Sequence, residues 1–151
     1  MKSTFWDRIE IKMSQDDDLQ QPDHLDEIVP FFLECTRGGP FSFTLCINEG
    51  YPEAESYDIR PVLVDLINHS AHWEEASIHL SSIDLVFLCA TKTRLSLLKK
   101  LDIVIERDSV YHHTQSMIPT TVSDIFQDAP LLKQAVLQGP LRGNSALTGR
   151  R

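Results

Sequence analysis

Five copies of one short apolar phrase, helical signals between them and near-regular intervals predict an α/β fold: a short leucine-rich-repeat-like solenoid of about five parallel strands alternating with helices. The phrase is clearest in Leu98-x-x-Leu101-x-Ile103, within LLKKLDIVI. Its apolar residues step by three and then by two. A bend that feeds a strand gives both spacings, because Leu98 folds over the interior that Leu101, Ile103 and Ile105 line by alternation. The other copies are Trp6-x-x-Ile9-x-Ile11, Pro40-x-x-Phe43-x-Leu45, Trp73-x-x-Ala76-x-Ile78 and Leu132-x-x-Ala135-x-Leu137. Counted at the middle residue, they lie 34, 33, 25 and 34 residues apart, three of these intervals being longer than the roughly 20–29 residues of ordinary leucine-rich repeats. Strand and helix alternating at this spacing read as βα units, whose right-handed crossovers deliver parallel strands. An ordinary open α/β sheet is the alternative, and the repeated bend favours the solenoid.

The elements follow in chain order. After the first strand, Asp16-Asp17-Asp18 beside Gln20, Gln21 and Pro22 reads as a solvated loop; it lacks the Gly turn and distal Glu of a calcium loop. Asp23 can cap a helix carrying Leu25, Ile28, Val29, Phe32 and Leu33, which Pro30 should kink or start later, and which Gly38-Gly39 stop before Pro40 opens the second strand. Pro61 in a first turn, with Leu63, Leu66, Ile67 and Ser70 at helical spacing, predicts the next helix. A short helix is expected from Ile83 to Ala90, and Thr121 with Asp124 resembles a capping box opening a last turn that Pro130 ends. The expected organisation is one domain over 1–140 and a flexible tail over 141–151, where periodicity fails.

Composition narrows the function. The 151 residues carry a net charge of −8, which argues against nucleic acid or a membrane surface as partner. The excess is local: residues 1–60 hold 13 acidic and 5 basic side chains, residues 61–151 nine of each. MKSTFWDRIEIK has no apolar signal core, and no run approaches the roughly 20 apolar residues that span a bilayer. Cys35, Cys46 and Cys89 are scattered, odd in number and set in apolar contexts, where a thiol acts as a small hydrophobe; a reduced cytoplasm or nucleus fits.

The period of two also sorts the strand residues into faces. Ile9, Ile11, Phe43, Leu45, Ala76, Ile78, Leu101, Ile103, Ala135 and Leu137 should face one core. Between them, Glu10, Thr44, Ser77, Asp102 and Val136 form an outward row, flanked by Arg8, Ser42, Glu75, Lys100 and Gln134 on one side and Lys12, Cys46, His79, Val104 and Gln138 on the other. The candidate partner-binding face is Glu10, Thr44, Glu75, Ser77, His79, Lys100, Asp102, Val104, Gln134 and Val136; its mixed charge suits a protein or peptide.

Candidate chemistry is sparse. His69 and His72 could share one face near a helix end, but no Cys or carboxylate stands beside them at motif spacing, and a helix C-terminus favours His for dipole reasons, so a structural role is the stronger reading. His112-His113 falls in a polar loop. There is no G-x-S-x-G, C-x-x-C, G-x-G-x-x-G or P-loop. Trp6 and Trp73 occupy the first slot of the phrase, where a large side chain closes the end of the core. No catalytic residue, cofactor or metal is therefore expected, and the reading is a non-catalytic protein-binding module. The alternative is a small α/β hydrolase-like enzyme with a Ser or Cys nucleophile and His69 or His72.

The stretches FWDRIEI, FFLECTRGGPFSFTL, RPVLVDLINHSAHWEEASIHL, RLSLLKKLDIVI and FQDAPLLKQAVLQG together resemble the leucine-rich segment that follows the F-box in a large group of fungal F-box proteins. Gly38-Gly39-Pro40 fits the small-residue turn before a Pro-initiated strand, and His69-Ser70-Ala71-His72-Trp73 the helix end before a Trp-led strand; the match runs from Phe5 to about Gly139. The resemblance implies the substrate-recognition part of a ubiquitin-ligase receptor, with a protein substrate as partner. It implies adaptor binding only where an F-box lies upstream, and nothing ahead of Phe5 forms one. The 151-residue chain alone is then expected not to bind the adaptor, and to be marginally stable or self-associating through its first strand, whose apolar end lacks a cap.

Overall fold

The alternation of the repeated phrase becomes a five-stranded sheet in the computed structural model, which describes residues 6–13, 24–47, 59–81, 84–106 and 125–139. Strands β1 (Arg8–Met13), β2 (Phe41–Ile47), β3 (Trp73–Ser81), β4 (Lys100–Glu106) and β5 (Gln134–Gln138) lie side by side in chain order, every neighbouring pair parallel. The protein is α/β. Ile9, Phe43, Ala76, Leu101 and Ala135 are partners across the sheet, and Ile11, Leu45, Ile78, Ile103 and Leu137 form the next inward row. The members of these rows on β2, β3 and β4, with Ile11, are buried; Ile9, Ala135 and Leu137, on the two outermost strands, pack part-buried against the same core.

Parallel strands cannot be joined by a tight hairpin, so the chain must climb over the sheet between them. It does so with α1 (Leu25–Cys35), α2 (Arg60–Asn68) followed by a 3₁₀ turn (Ser70–His72), and a 3₁₀ helix (Asp84–Thr91). In α1 the buried side chains are Leu25, Val29, Phe32 and Leu33, an i, i+4, i+7, i+8 stripe. Ile28, expected in that stripe, is instead 46% exposed, because it sits a full residue off the helix line that meets the sheet. The helix begins at Leu25 and runs through Pro30, which therefore does not set its start; it only denies the Asp26 carbonyl an i+4 amide donor. His24 precedes it without a side-chain cap, and Asp23 lies outside the described residues. Arg37 (φ 52) and Gly38 (φ +70) then reverse the chain in left-handed conformations before β2.

Pro61 stands in the first turn of α2, and Val62, Leu63, Leu66 and Ile67 are buried, as is Ser70 beyond it. The helix expected from Ile83 to Ala90 is present as the 3₁₀ helix. Its buried residues, Leu85, Leu88 and Thr91, step by three, which suits three residues per turn. Thr121, Asp124, the Asp16–Asp18 run, His112, His113 and the 141–151 tail lie outside the described residues.

The first slot of the phrase is less uniform than its sequence. Trp73 and Leu98 are fully buried, whereas Pro40 is exposed and Trp6 is 39% exposed, so Trp6 does not close the core. Trp6 lies edge-on to Phe31 and Phe32, with ring centroids 5.9 and 6.3 Å away. In β2 the slot passes to Phe41, which pairs with Trp73 across a register shift before Ser42. Phe32, Phe41, Phe43 and Trp73 follow one another at 5.9, 6.1 and 4.8 Å, and the Trp73 indole N–H donates to the Leu66 carbonyl at 3.0 Å, fixing β3 to α2. Burying such an aromatic with its N–H satisfied combines a large apolar area with no polar penalty.

Leu101 sits in the middle strand pairs of this core and is 3% exposed. Leu101→Asp puts an unpaired carboxylate there, at a cost comparable with the roughly 5–15 kcal/mol that holds a domain together. Thermal unfolding followed by circular dichroism should lose its cooperative transition; a mutant that melts like the parent contradicts the register.

Candidate functional site

The same register that buries the inward rows sets three others on the opposite side of the sheet. They are Arg8, Ser42, Glu75, Lys100 and Gln134; Glu10, Thr44, Ser77, Asp102 and Val136; and Lys12, Cys46, His79, Val104 and Gln138. All ten residues of the expected partner-binding face thus share one surface, on the side away from the core. Its basic residues, Arg8, Lys12 and Lys100, are matched in number by Glu10, Glu75 and Asp102, so the −8 of the whole chain is not expressed here.

Two ion pairs organise the β1 side. Arg8 reaches over β2 to Glu75 of β3 at 2.9 Å, which is possible because only the short Ser42 stands between them; Ser42 is consequently 9% exposed beneath the bridge. Along β1, Lys12 pairs with Glu10 at 2.6 Å. The hydrogen bond to Glu10 and then its charge hold the Lys12 ammonium above its ordinary pKa. Lys99 and Glu74 pair at the start of β4 and β3, where the Lys99 amide also donates to the Glu74 carbonyl. These pairs are solvent-exposed and each contributes at most about 1 kcal/mol, so they orient side chains more than they stabilise the fold.

Beside the Arg8–Glu75 bridge the surface dips into a groove of about 250 Å³, lined by residues of β1, β2, β3 and β4 that include Thr44, Ser77, Lys100 and Asp102. One oxygen of Asp102, Oδ1, is buried and accepts no hydrogen bond from the described residues. A buried acceptor left unpaired costs about 1–3 kcal/mol. The groove is therefore lined by three hydroxyl side chains, Ser42, Thr44 and Ser77, and by both signs of charge, Arg8 and Lys100 against Glu75 and Asp102, a set complementary to a polar ligand that both donates and accepts hydrogen bonds.

Cys46 and His79 occupy the next row, with Cys46 Sγ 3.1 Å from His79 Nδ1. Of the three cysteines, which the sequence sets in apolar contexts, Cys35 and Cys46 are half-buried and Cys89 is exposed, and Cys46 has a polar partner rather than a purely apolar surrounding. The pairing was available from spacing, since Cys46 follows Phe43 by three residues as His79 follows Ala76. His69 and His72 lie elsewhere, around the 3₁₀ turn before β3. The His69 Nδ1–H donates to the Asp65 carbonyl at 2.9 Å and closes the end of α2. Among the described residues, no group of three or more His, Cys, Asp or Glu is placed to hold a metal ion, and no helix is long and apolar enough to cross a membrane.

Comparison of the chain with protein-family models, with curated proteins and with solved structures finds no match.

Because Asp102 Oδ1 accepts no hydrogen bond from the described residues, removing it relieves a cost. Asp102→Thr, a β-branched residue suited to a half-buried strand position, should raise the stability measured by urea unfolding by about 1 kcal/mol. A loss of stability would show that the carboxylate is already satisfied.

Proposed function

We propose that the chain is a non-catalytic protein-binding module, a short leucine-rich-repeat-like solenoid whose outward sheet face docks a partner protein. The observation that carries this reading is the groove on that face, where an unsatisfied Asp102 oxygen lies among side chains drawn from four strands. Strands laid down in chain order, all parallel, with the helices' apolar stripes directed to a single core, support the solenoid. An arrangement of this kind leaves one sheet face as a ready docking surface. Balanced charge on the face supports a protein or peptide rather than a polyanion.

The resemblance to the segment after the F-box of fungal F-box proteins makes the partner a substrate presented for ubiquitination, and the cytoplasm or nucleus the place of action. Adaptor contact belongs to an upstream F-box in that scheme. The hydrolase-like alternative has one observation in its favour, the Cys46–His79 pair. Neither residue lines the groove, so the groove itself is better suited to binding than to chemistry.

The test reverses charge on the face without touching the core. A triple variant, Glu75→Lys, Lys100→Glu and Asp102→Lys, should retain the parent's circular dichroism spectrum and cooperative melt. It should lose at least about tenfold in affinity for any partner captured by the parent, as expected when several interfacial charges are inverted. Unchanged affinity would move the site off this face.

A further inference from the structure

Cys46 and His79 stand opposite each other on neighbouring parallel strands, β2 and β3, and both point to the outward face. Their separation of 3.1 Å leaves room for one proton between sulfur and nitrogen, either S–H donating to Nδ1 or an imidazolium N–H donating to a thiolate. On the other side of Cys46, in the same row, stands Lys12 of β1, whose ammonium is shared with the Glu10 carboxylate at 2.6 Å, so His79 is the main partner of the thiol. A thiol held between an imidazole and an ammonium is in the surroundings that favour its anion, and the anion is the nucleophile. Both residues are half-buried on the outward face, so neither is sealed in the core.

We infer that Cys46, paired with His79, is the reactive thiol of this protein and a site of mixed-disulfide formation with small disulfides. In the exchange the Cys46 sulfur, its proton resting on His79, attacks one sulfur of the disulfide. The Cys46–S bond forms as the S–S bond of the reagent breaks, and the departing thiolate takes the proton from His79 and leaves as a thiol. The protein thiol is oxidised, the reagent is reduced and no further oxidant is needed. This reactivity is independent of whether the face docks a protein.

Two probes test it on the full chain at pH 7, with each cysteine quantified by peptide mass spectrometry: iodoacetamide, and oxidised glutathione. Cys46 should react with both at least about threefold faster than the exposed Cys89 despite being less accessible, because the gain in thiolate outweighs the lower nucleophilicity of a more acidic thiol. His79→Gln should bring Cys46 down to the rate of Cys89 or below, while Cys35 and Cys89 stay unchanged. Equal or slower labelling of Cys46 in the parent chain overturns the inference, and that comparison alone decides if the variant fails to fold. Fast labelling that survives His79→Gln but is lost in Lys12→Gln also overturns it, by assigning the activation to the ammonium.

Discussion

The in-register parallel ladder is the constraint on which the rest of the structure depends. With a side-chain period of two, a slip of one residue in any strand would send its apolar set to the other face. Here four successive pairings keep Ile9, Phe43, Ala76, Leu101 and Ala135 in one row, and the helices, the aromatic series from Phe32 to Trp73 and the outward face all follow from that alignment. The Trp73 indole bond to Leu66 works in the same direction. It links the strand to the helix that precedes it in sequence, so the position of α2 over the sheet is set by a directional contact as well as by burial.

A one-sided sheet has two consequences. The outward face must be polar enough to remain in water, and it is, but by pairing rather than by excess of one sign. Arg8 and Glu75 bridge across an intervening strand, and Glu10 holds Lys12. The second consequence is an edge. Among the described residues β1 pairs only with β2, and its outward side chains Arg8, Glu10 and Lys12 are all charged, a pattern that weighs against the self-association expected of this strand. Against that background, Asp102 Oδ1 and the Cys46–His79 pair are local departures, places where polar groups are held without full satisfaction or in a reactive pairing.

Much of this was legible in the residues because the phrase encodes a bend and a strand together. Both inward rows and all three outward rows were readable from the period of two alone. What was not legible depends on three-dimensional surroundings. Trp6 and Trp73 occupy equivalent slots, but β3 has a strand on each side while Trp6 precedes the outermost strand and has only Phe31 and Phe32 to lie against. Leu85 and Leu88, three apart, fit an α-helix and a 3₁₀ helix equally, so the tighter form was hidden in the spacing. The nature of Cys46 was obscured by its apolar sequence neighbours Leu45 and Ile47, although Leu45 itself is buried in the core on the opposite face.

One face of this sheet is closed by the core, and on the proposed reading the other is open to a partner. Solvent paramagnetic relaxation by a neutral gadolinium chelate, read on side-chain protons of the isotopically labelled chain, measures that directly. Along β2 and β3 the account predicts an alternation, with Thr44, Ser77 and His79 relaxing strongly and Leu45, Ala76 and Ile78 hardly at all. Equal protection of both sets would mean that another part of the chain, or a second copy, already covers the outward face, and the account would be wrong.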